Sequence, residues 1–182
     1  AYLAAKMPDD VGYRLYMGDR QQGSYAPLTA VALELPGYPE VLDPHISTDD
    51  LRLYYAATSA DDQRLAVAVR PGPDQPFGPP SVAPFVNIDE PGRREADPTL
   101  PAHELVLIYV RSGDLAETGN DIYVATRAST SEPFGEPGPL VGANSALHDM
   151  SPHVSRDGCE LFFVRGTDKD PFDWDIYRAE IQ

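Results

Sequence analysis

Lysine occurs twice in this chain of 182 residues, cysteine once and tryptophan once. Lys and Arg together number 14 against 29 Asp and Glu, so the formal net charge is −15. Nucleic-acid binding draws on clustered Lys and Arg that displace counterions from phosphates, and the chain has no such cluster. Anionic membrane surfaces are disfavoured on the same ground. No apolar run approaches the roughly 18–20 residues that cross a bilayer. The longest, residues 105–110, has the length of a strand. Neither a nucleic-acid partner nor membrane insertion is therefore expected. With Cys159 alone there is no internal disulfide, and its place in the apolar stretch 159–164 predicts a buried structural thiol rather than a nucleophile. The excess of acid reads first as a solubility feature, with a cation or a basic partner as the alternative.

Catalytic signatures are missing as well. The sequence holds no Gly-x-Ser-x-Gly elbow, no phosphate-cradling glycine loop and no His-Glu-x-x-His. Ala1 is followed by no signal-like n- and h-region, which predicts a processed product or an excised piece.

Proline and glycine are plentiful, at 19 and 14 residues, and the hydrophobic fraction is 42%. That much apolar content suffices for a packed core. Proline at about twice its average usage excludes long helices, because it removes a backbone donor and clashes with the preceding turn. Short strands joined by turns remain.

A repeat gives those strands an order. Pro44-His-Ile-Ser-Thr-Asp-Asp-Leu-Arg-Leu-Tyr-Tyr55, Pro98-Thr-Leu-Pro-Ala-His-Glu-Leu-Val-Leu-Ile-Tyr109 and Pro152-His-Val-Ser-Arg-Asp-Gly-Cys-Glu-Leu-Phe-Phe163 align without gaps, each 54 residues after the last. Two short apolar runs flank an Asp-Asp, His-Glu or Asp-Gly corner, the pattern of two strands and a tight turn. Arg64-Leu-Ala-Val-Ala-Val-Arg70, Asp121-Ile-Tyr-Val-Ala-Thr-Arg127 and Asp175-Ile-Tyr-Arg-Ala-Glu-Ile181 supply a third strand, and Arg14-Leu-Tyr-Met-Gly-Asp-Arg20 matches them. A Pro/Gly/aromatic turn then leads to a fourth strand, expected at 28–33, 81–86 and 138–141. Four short strands per repeat make one blade of an all-β propeller.

The motifs Pro-x-aliphatic-Ser-x-Asp-x-x-x-Leu-Tyr/Phe-Tyr/Phe, Asp-Ile-Tyr-x-Ala-x-Arg and Pro-Phe-Gly-x-Pro resemble the WD-like repeat of TolB-type propellers over essentially the whole chain. The resemblance implies blades at 1–42 (partial), 43–96, 97–150 and 151–182 (partial) within one domain. That is about three and a half blades of four antiparallel strands, part of a larger ring completed by further blades or by self-association. Pro101 and His103 stand where the other repeats have Ser and Asp, so the middle inner turn is expected to differ. Propellers of this kind serve as interaction platforms, which implies a binding module for a protein, peptide or glycan in the bacterial cell envelope, periplasmic or extracellular. The alternative is a lyase or hydrolase with a histidine-bound metal at the channel mouth.

Few residues stand out as site candidates. His45 and His153 occupy equivalent places two repeats apart and can project toward a common axis, where a divalent metal is the one cofactor left open. His103 and His148 are expected on solvent-facing turns. The segment 168–175 packs four carboxylates into eight residues around Trp174, without the spacing of a calcium loop. Asp170, Asp173 and Trp174 are accordingly candidates for ligand contact, Trp174 as a stacking platform or an interface anchor. Ser47 and Ser155 lie beside Asp49 and Asp157 and are expected to tie down the hairpin turns. No residue presents itself as catalytic.

Overall fold

The computed structural model describes residues 2–7, 12–18, 20–21, 24–25, 27–33, 35–83, 86–87, 93–112, 119–167 and 173–181. Among these residues there are strands and turns and no helix. The strands are β1 (Tyr2–Ala5), β2 (Arg14–Met17), β3 (Arg20–Gln21), β4 (Ser24–Tyr25), β5 (Thr29–Ala30), β6 (Glu40–Ile46), β7 (Arg52–Thr58), β8 (Gln63–Val69), β9 (Ser81–Val82), β10 (Arg94–Thr99), β11 (Val106–Ser112), β12 (Asn120–Thr126), β13 (Gly138–Pro139), β14 (His148–Val154), β15 (Glu160–Gly166) and β16 (Asp175–Glu180).

They fall into four antiparallel groups that follow the repeat: β1-β2-β5, β6-β7-β8-β9, β10-β11-β12-β13 and β14-β15-β16. A single parallel pairing, Arg94 with Gln63, joins the second group to the third. The fourth-strand segments pair over only two residues each, shorter than their apolar runs suggest. Proline explains part of this, because Pro79, Pro80, Pro137 and Pro139 cannot donate to a ladder. β3 and β4 form a separate two-stranded hairpin outside the repeat.

The strands alternate as a half-buried pleat must, and each face meets the next group. Leu15 and Leu33 pack with Leu53, Tyr55 and Ala57 of the second group. Tyr54, Leu65 and Ala83 from the opposite face of that group meet Leu100, Leu107 and Tyr109 of the third. Ile108, Ile122 and Ala143 then meet Val154, Leu161 and Phe163 of the fourth. The three interfaces use equivalent positions, so one packing solution is stacked three times. The aromatic residues at Tyr54, Tyr55, Tyr109 and Phe163 fill these interfaces as their repeated places predict, while Phe162, Tyr123 and Tyr177 are only partly covered.

The hairpin turns are tied as expected. Ser47 Oγ donates to Asp49 Oδ1 at 2.6 Å and accepts from the Arg52 N–H at 2.8 Å. Ser155 and Asp157 repeat the bond at 2.6 Å, with Glu160 N–H on Ser155 Oγ. The middle turn departs less than its sequence suggests. His103 Nδ1 accepts from the Leu105 N–H at 3.0 Å, as Asp49 Oδ1 accepts from the Leu51 N–H at 3.0 Å. A ring nitrogen thus does the work of a carboxylate oxygen. Each turn places its fourth residue at positive φ: Asp50 at 60°, Glu104 at 53° and Gly158 at 82°.

Two expectations about side chains are corrected. Cys159 is exposed, because it is the last residue of the turn and donates its N–H to Asp157 Oδ1 before the alternation of β15 begins. His148 lies in β14 and is partly buried, its Nδ1 accepting from the Asn120 N–H at 3.2 Å, rather than on a solvent-facing turn.

Candidate functional site

The first strands of the second, third and fourth groups share a feature that the motif alignment stops one residue short of. Each carries a β-bulge, with register slipping between Leu42 and His45, between Ala96 and Thr99, and between Met150 and His153. The bulged residues Asp43, Asp97 and Ser151 have φ of 50°, 51° and 50°. Each precedes a proline, which ordinarily drives its predecessor toward extended backbone. Non-glycine residues at positive φ are uncommon, with Asp among those that tolerate it best. A strained conformation recurring at three equivalent places is held by its surroundings and points to a use.

The bulges converge. Asp43, Pro44 and His45, Asp97, Pro98 and Thr99, and Ser151, Pro152 and His153 line one cavity of about 200 Å³. β6 lies against β10 and β10 against β14, so the three triplets stand side by side along one edge of the stack. Hydrogen bonds step from one repeat to the next. Ser151 N–H donates to Asp97 Oδ2 at 3.0 Å, and the Asp97 backbone stands in the same relation to the Asp43 carboxyl. Thr99 Oγ1 accepts from the Val154 N–H at 3.2 Å.

Electrostatics at this wall follow from the crowding. Burial, then the Asp97 charge and a hydrogen bond between the two carboxyls, push Asp43 up to about 7, against the pull of the Asp97 backbone. Asp43 therefore holds its proton well above the usual carboxylate range, as a buried carboxyl beside a like charge does. His45 is held below the usual histidine range, first by burial and then by the charge of His153. Glu104 and a hydrogen bond with the Leu100 backbone oppose the shift. The wall presents a protonated acid, a neutral imidazole, a threonine hydroxyl and an exposed second imidazole.

His45 and His153 border the same cavity. Among the described residues, however, no three His, Cys, Asp or Glu are arranged to hold a metal ion. Trp174 and Asp173 do not line the cavity. Trp174 is partly buried with its ring centroid 6.2 Å from that of His148, and Asp173 is exposed. Asp170 lies outside the described residues. Asp43, Asp97, Thr99 and Ser151 were not singled out by sequence reasoning. The available signal was an Asp-Pro or Ser-Pro step repeating at 54 residues, where a bulge is the natural way to seat the proline.

Behind the cavity lies a second polar cluster. Glu104 is buried, and its carboxylate accepts from Arg52 Nε at 2.7 Å, Arg52 NH2 at 2.8 Å and Tyr54 OH at 3.2 Å, with Arg127 NH2 at 3.6 Å. This cluster joins the second and third groups. A larger open groove of about 750 Å³ runs along β2 and the segment 30–41, with Arg14 its one charged lining residue among the described residues.

No family model matches the chain. No curated protein matches it either. Solved structures do. An α-L-arabinofuranosidase from Lactobacillus brevis aligns with TM-score 0.66 and 15% identity over 100% of this chain and 68% of its own. An endo-arabinase from Bacteroides thetaiotaomicron aligns with TM-score 0.61 and 18% identity over 94% of this chain and 66% of its own. TolB from Acinetobacter baumannii aligns with TM-score 0.57 and 13% identity over 93% of this chain and 35% of its own. The chain thus spans about a third of TolB and about two thirds of the two carbohydrate enzymes. These are propeller-fold proteins, and at such identities the likeness concerns the fold alone.

Proposed function

We propose that the chain is a propeller-type binding module whose ligand, a glycan, seats at the cavity where the three bulges meet. The four strand groups are read as blades, two with four strands and two with three, forming an arc of a larger ring. The observation that carries this reading is the convergence of three repeat-equivalent triplets, Asp43 to His45, Asp97 to Thr99 and Ser151 to His153, on one cavity. Repetition of a strained Asp-Pro or Ser-Pro bulge places donors and acceptors in a row at close spacing. Vicinal hydroxyls of a sugar alternate donor and acceptor in the same manner, and a carboxyl such as Asp43 that keeps its proton near neutral pH can donate as well as accept. Two of the three fold neighbours act on arabinose-containing sugars by their names, which agrees with this ligand class.

Binding is favoured over hydrolysis by the carboxyl geometry. Glycosidase carboxyls stand about 5–9.5 Å apart so that a sugar or a water fits between them. Asp43 and Asp97 instead lie close enough for each to act on the other's carboxyl. A periplasmic or extracellular setting suits a glycan ligand.

Titration calorimetry with a panel of neutral oligosaccharides, arabino-oligosaccharides among them, tests the proposal. At least one should bind, and Asp97→Asn and His45→Ala should each weaken it about tenfold or more, which is 1.4 kcal/mol. Binding that ignores both substitutions, or no binding across the panel, removes the cavity as the site. The same titration repeated with EDTA reads whether a metal bridges His45 and His153.

A further inference from the structure

The three bulges share one strained backbone but not one chemistry. Asp43, Asp97 and Ser151 stand at φ of 50°, 51° and 50°, each followed by a proline. Proline drives its predecessor away from that conformation, so scission of the bond between them relaxes the backbone. The bond is also a weak one toward acid. Proline nitrogen carries no hydrogen and departs as a secondary amine, a more basic leaving group than the primary amine other residues release. An aspartic acid side chain reaches its own main-chain carbonyl carbon by closing a five-membered ring, and a carboxyl so placed is an intramolecular nucleophile.

Asp43 alone among the three combines these elements. Ser151 has no carboxyl to attack with. Asp97 acts on Asp43 as the charged neighbour, and so lacks the proton that the departing nitrogen requires. Burial and that charge keep the proton on Asp43 up to about 7. The other titratable groups bordering the cavity are His45 on the same strand and His153 on β14. β7 sets Ala56 opposite Leu42 and Tyr54 opposite His45, and β1 and β2, also packed on β6, carry Tyr2, Arg14 and Tyr16. Asp43, Pro44 and His45 are each partly exposed along the cavity, so water reaches the bond.

We infer that the Asp43–Pro44 bond is a self-cleavage site, which the folded chain cuts without another protein. A side-chain oxygen of Asp43 bonds to its own main-chain carbonyl carbon. The C–N bond to Pro44 breaks, and the carboxyl proton passes to the proline nitrogen. Asp43 is left as a cyclic anhydride, which one water opens to two carboxyl groups, and Pro44 becomes a new N-terminus. Water is the sole co-reactant, and nothing is oxidised or reduced. The cut falls inside β6, where Glu40, Val41 and Leu42 pair with β7 on one side of it and His45 and Ile46 pair with the same strand on the other. Both pieces therefore stay in the sheet until the chain is denatured. The inference does not depend on the ligand proposed above.

Intact mass under denaturing conditions, after incubation of the purified chain at about pH 6, tests it. The native chain should yield residues 1–43 and 44–182. In urea, where an ordinary aspartic acid titrates near about 4, the same bond should be cut about a hundredfold more slowly at that pH, because few carboxyls then keep the proton. Asp97–Pro98 and Asp170–Pro171 are internal references and should stay whole in the native chain. Asp43→Asn, which has no acid to offer, should abolish the cut, and Pro44→Ala, which keeps the acid but loses the leaving group, should slow it. A native chain that stays whole overturns the inference. So do equal cutting at all three Asp–Pro bonds and a rate unchanged in urea, either of which is ordinary acid lability, and so does a cut that survives Asp43→Asn, which is the work of a protease.

Discussion

Asp43 joins a backbone conformation that proline disfavours to a proton that its neighbour obliges it to keep. Its carboxyl is raised to about 7, chiefly by burial and then by Asp97. The folded chain holds a proton there that the unfolded chain releases near pH 4. The stabilisation is complete below pH 4, declines as pH rises, and is gone once pH passes about 7. Asp43→Asn keeps a hydrogen-bond donor toward Asp97 and never ionises. The melting temperature of this variant relative to wild type should therefore climb from about pH 4 to about pH 7 and stay level above, at about 2–4 °C per kcal/mol. Taking the difference between the two proteins cancels His45, whose lowered value acts in the opposite direction over the upper part of that range. A difference that does not change with pH would show that the carboxyls are ionised independently. Glu104 is the other residue whose surroundings decide its worth. It occupies a turn position that holds glycine in the fourth group, at φ 53°, yet it is buried against Arg52, Arg127 and Tyr54. Glu104→Gly relieves the backbone but leaves two guanidinium groups without their carboxylate. Loss of one partner of a buried pair costs about 3–5 kcal/mol, more than the roughly 1 kcal/mol of a relieved left-handed residue. Urea unfolding should show a net loss of about 2–4 kcal/mol by that subtraction, and a stabilised variant would mean the cluster costs more than it contributes.

Strand pairs carry the next level of argument, because the repeat supplies its own controls. Val41 faces Ala57 in the second group, Glu95 faces Arg111 in the third, and Asp149 faces Arg165 in the fourth. Glu95 and Asp149 are fully buried, and Arg165 Nε reaches Asp149 at 2.7 Å while Arg111 Nε lies 3.4 Å from Glu95. Each arginine also stacks on an aromatic ring, Arg111 at 4.4 Å from Tyr123 and Arg165 at 4.6 Å from Tyr177. Where alanine replaces the arginine, the buried Tyr55 hydroxyl has no partner among the described residues, whereas the equivalent Tyr109 hydroxyl accepts from Arg111. Replacing the whole pair, Glu95→Val with Arg111→Ala, copies the second group and should cost less than about 2 kcal/mol, whereas Arg111→Ala alone should cost about 3–5 kcal/mol. A double-mutant cycle by urea unfolding separates the two outcomes, and equal losses would deny that the pair acts as a unit. These pairs also show where sequence reading stops. Period-two alternation and the 54-residue spacing made the strands and turns legible. A charged residue inside a strand looks like a solvent-facing position, however, and only its partner on the neighbouring strand reveals burial. Asp43 and Asp97 escaped notice for a related reason, since the bulge that turns them inward breaks the alternation on which the reading relied.

As a molecule, the chain is a stack in which each group touches its neighbours in sequence. Stability then behaves as a sum of group terms and nearest-neighbour interfaces. The second and third groups are packed on both faces, whereas the first and fourth each expose one, at Leu3 and Ile176. Opening an end group breaks one interface, and opening an inner group breaks two. Amide exchange should accordingly be slowest in β7 and β11 and fastest in β1 and β16, a gradient expected from interface count alone. Exchange followed by mass spectrometry reads that gradient. Uniform protection across the four groups would mean that the stack unfolds as one cooperative body and that the interfaces, though repeated, are not separable.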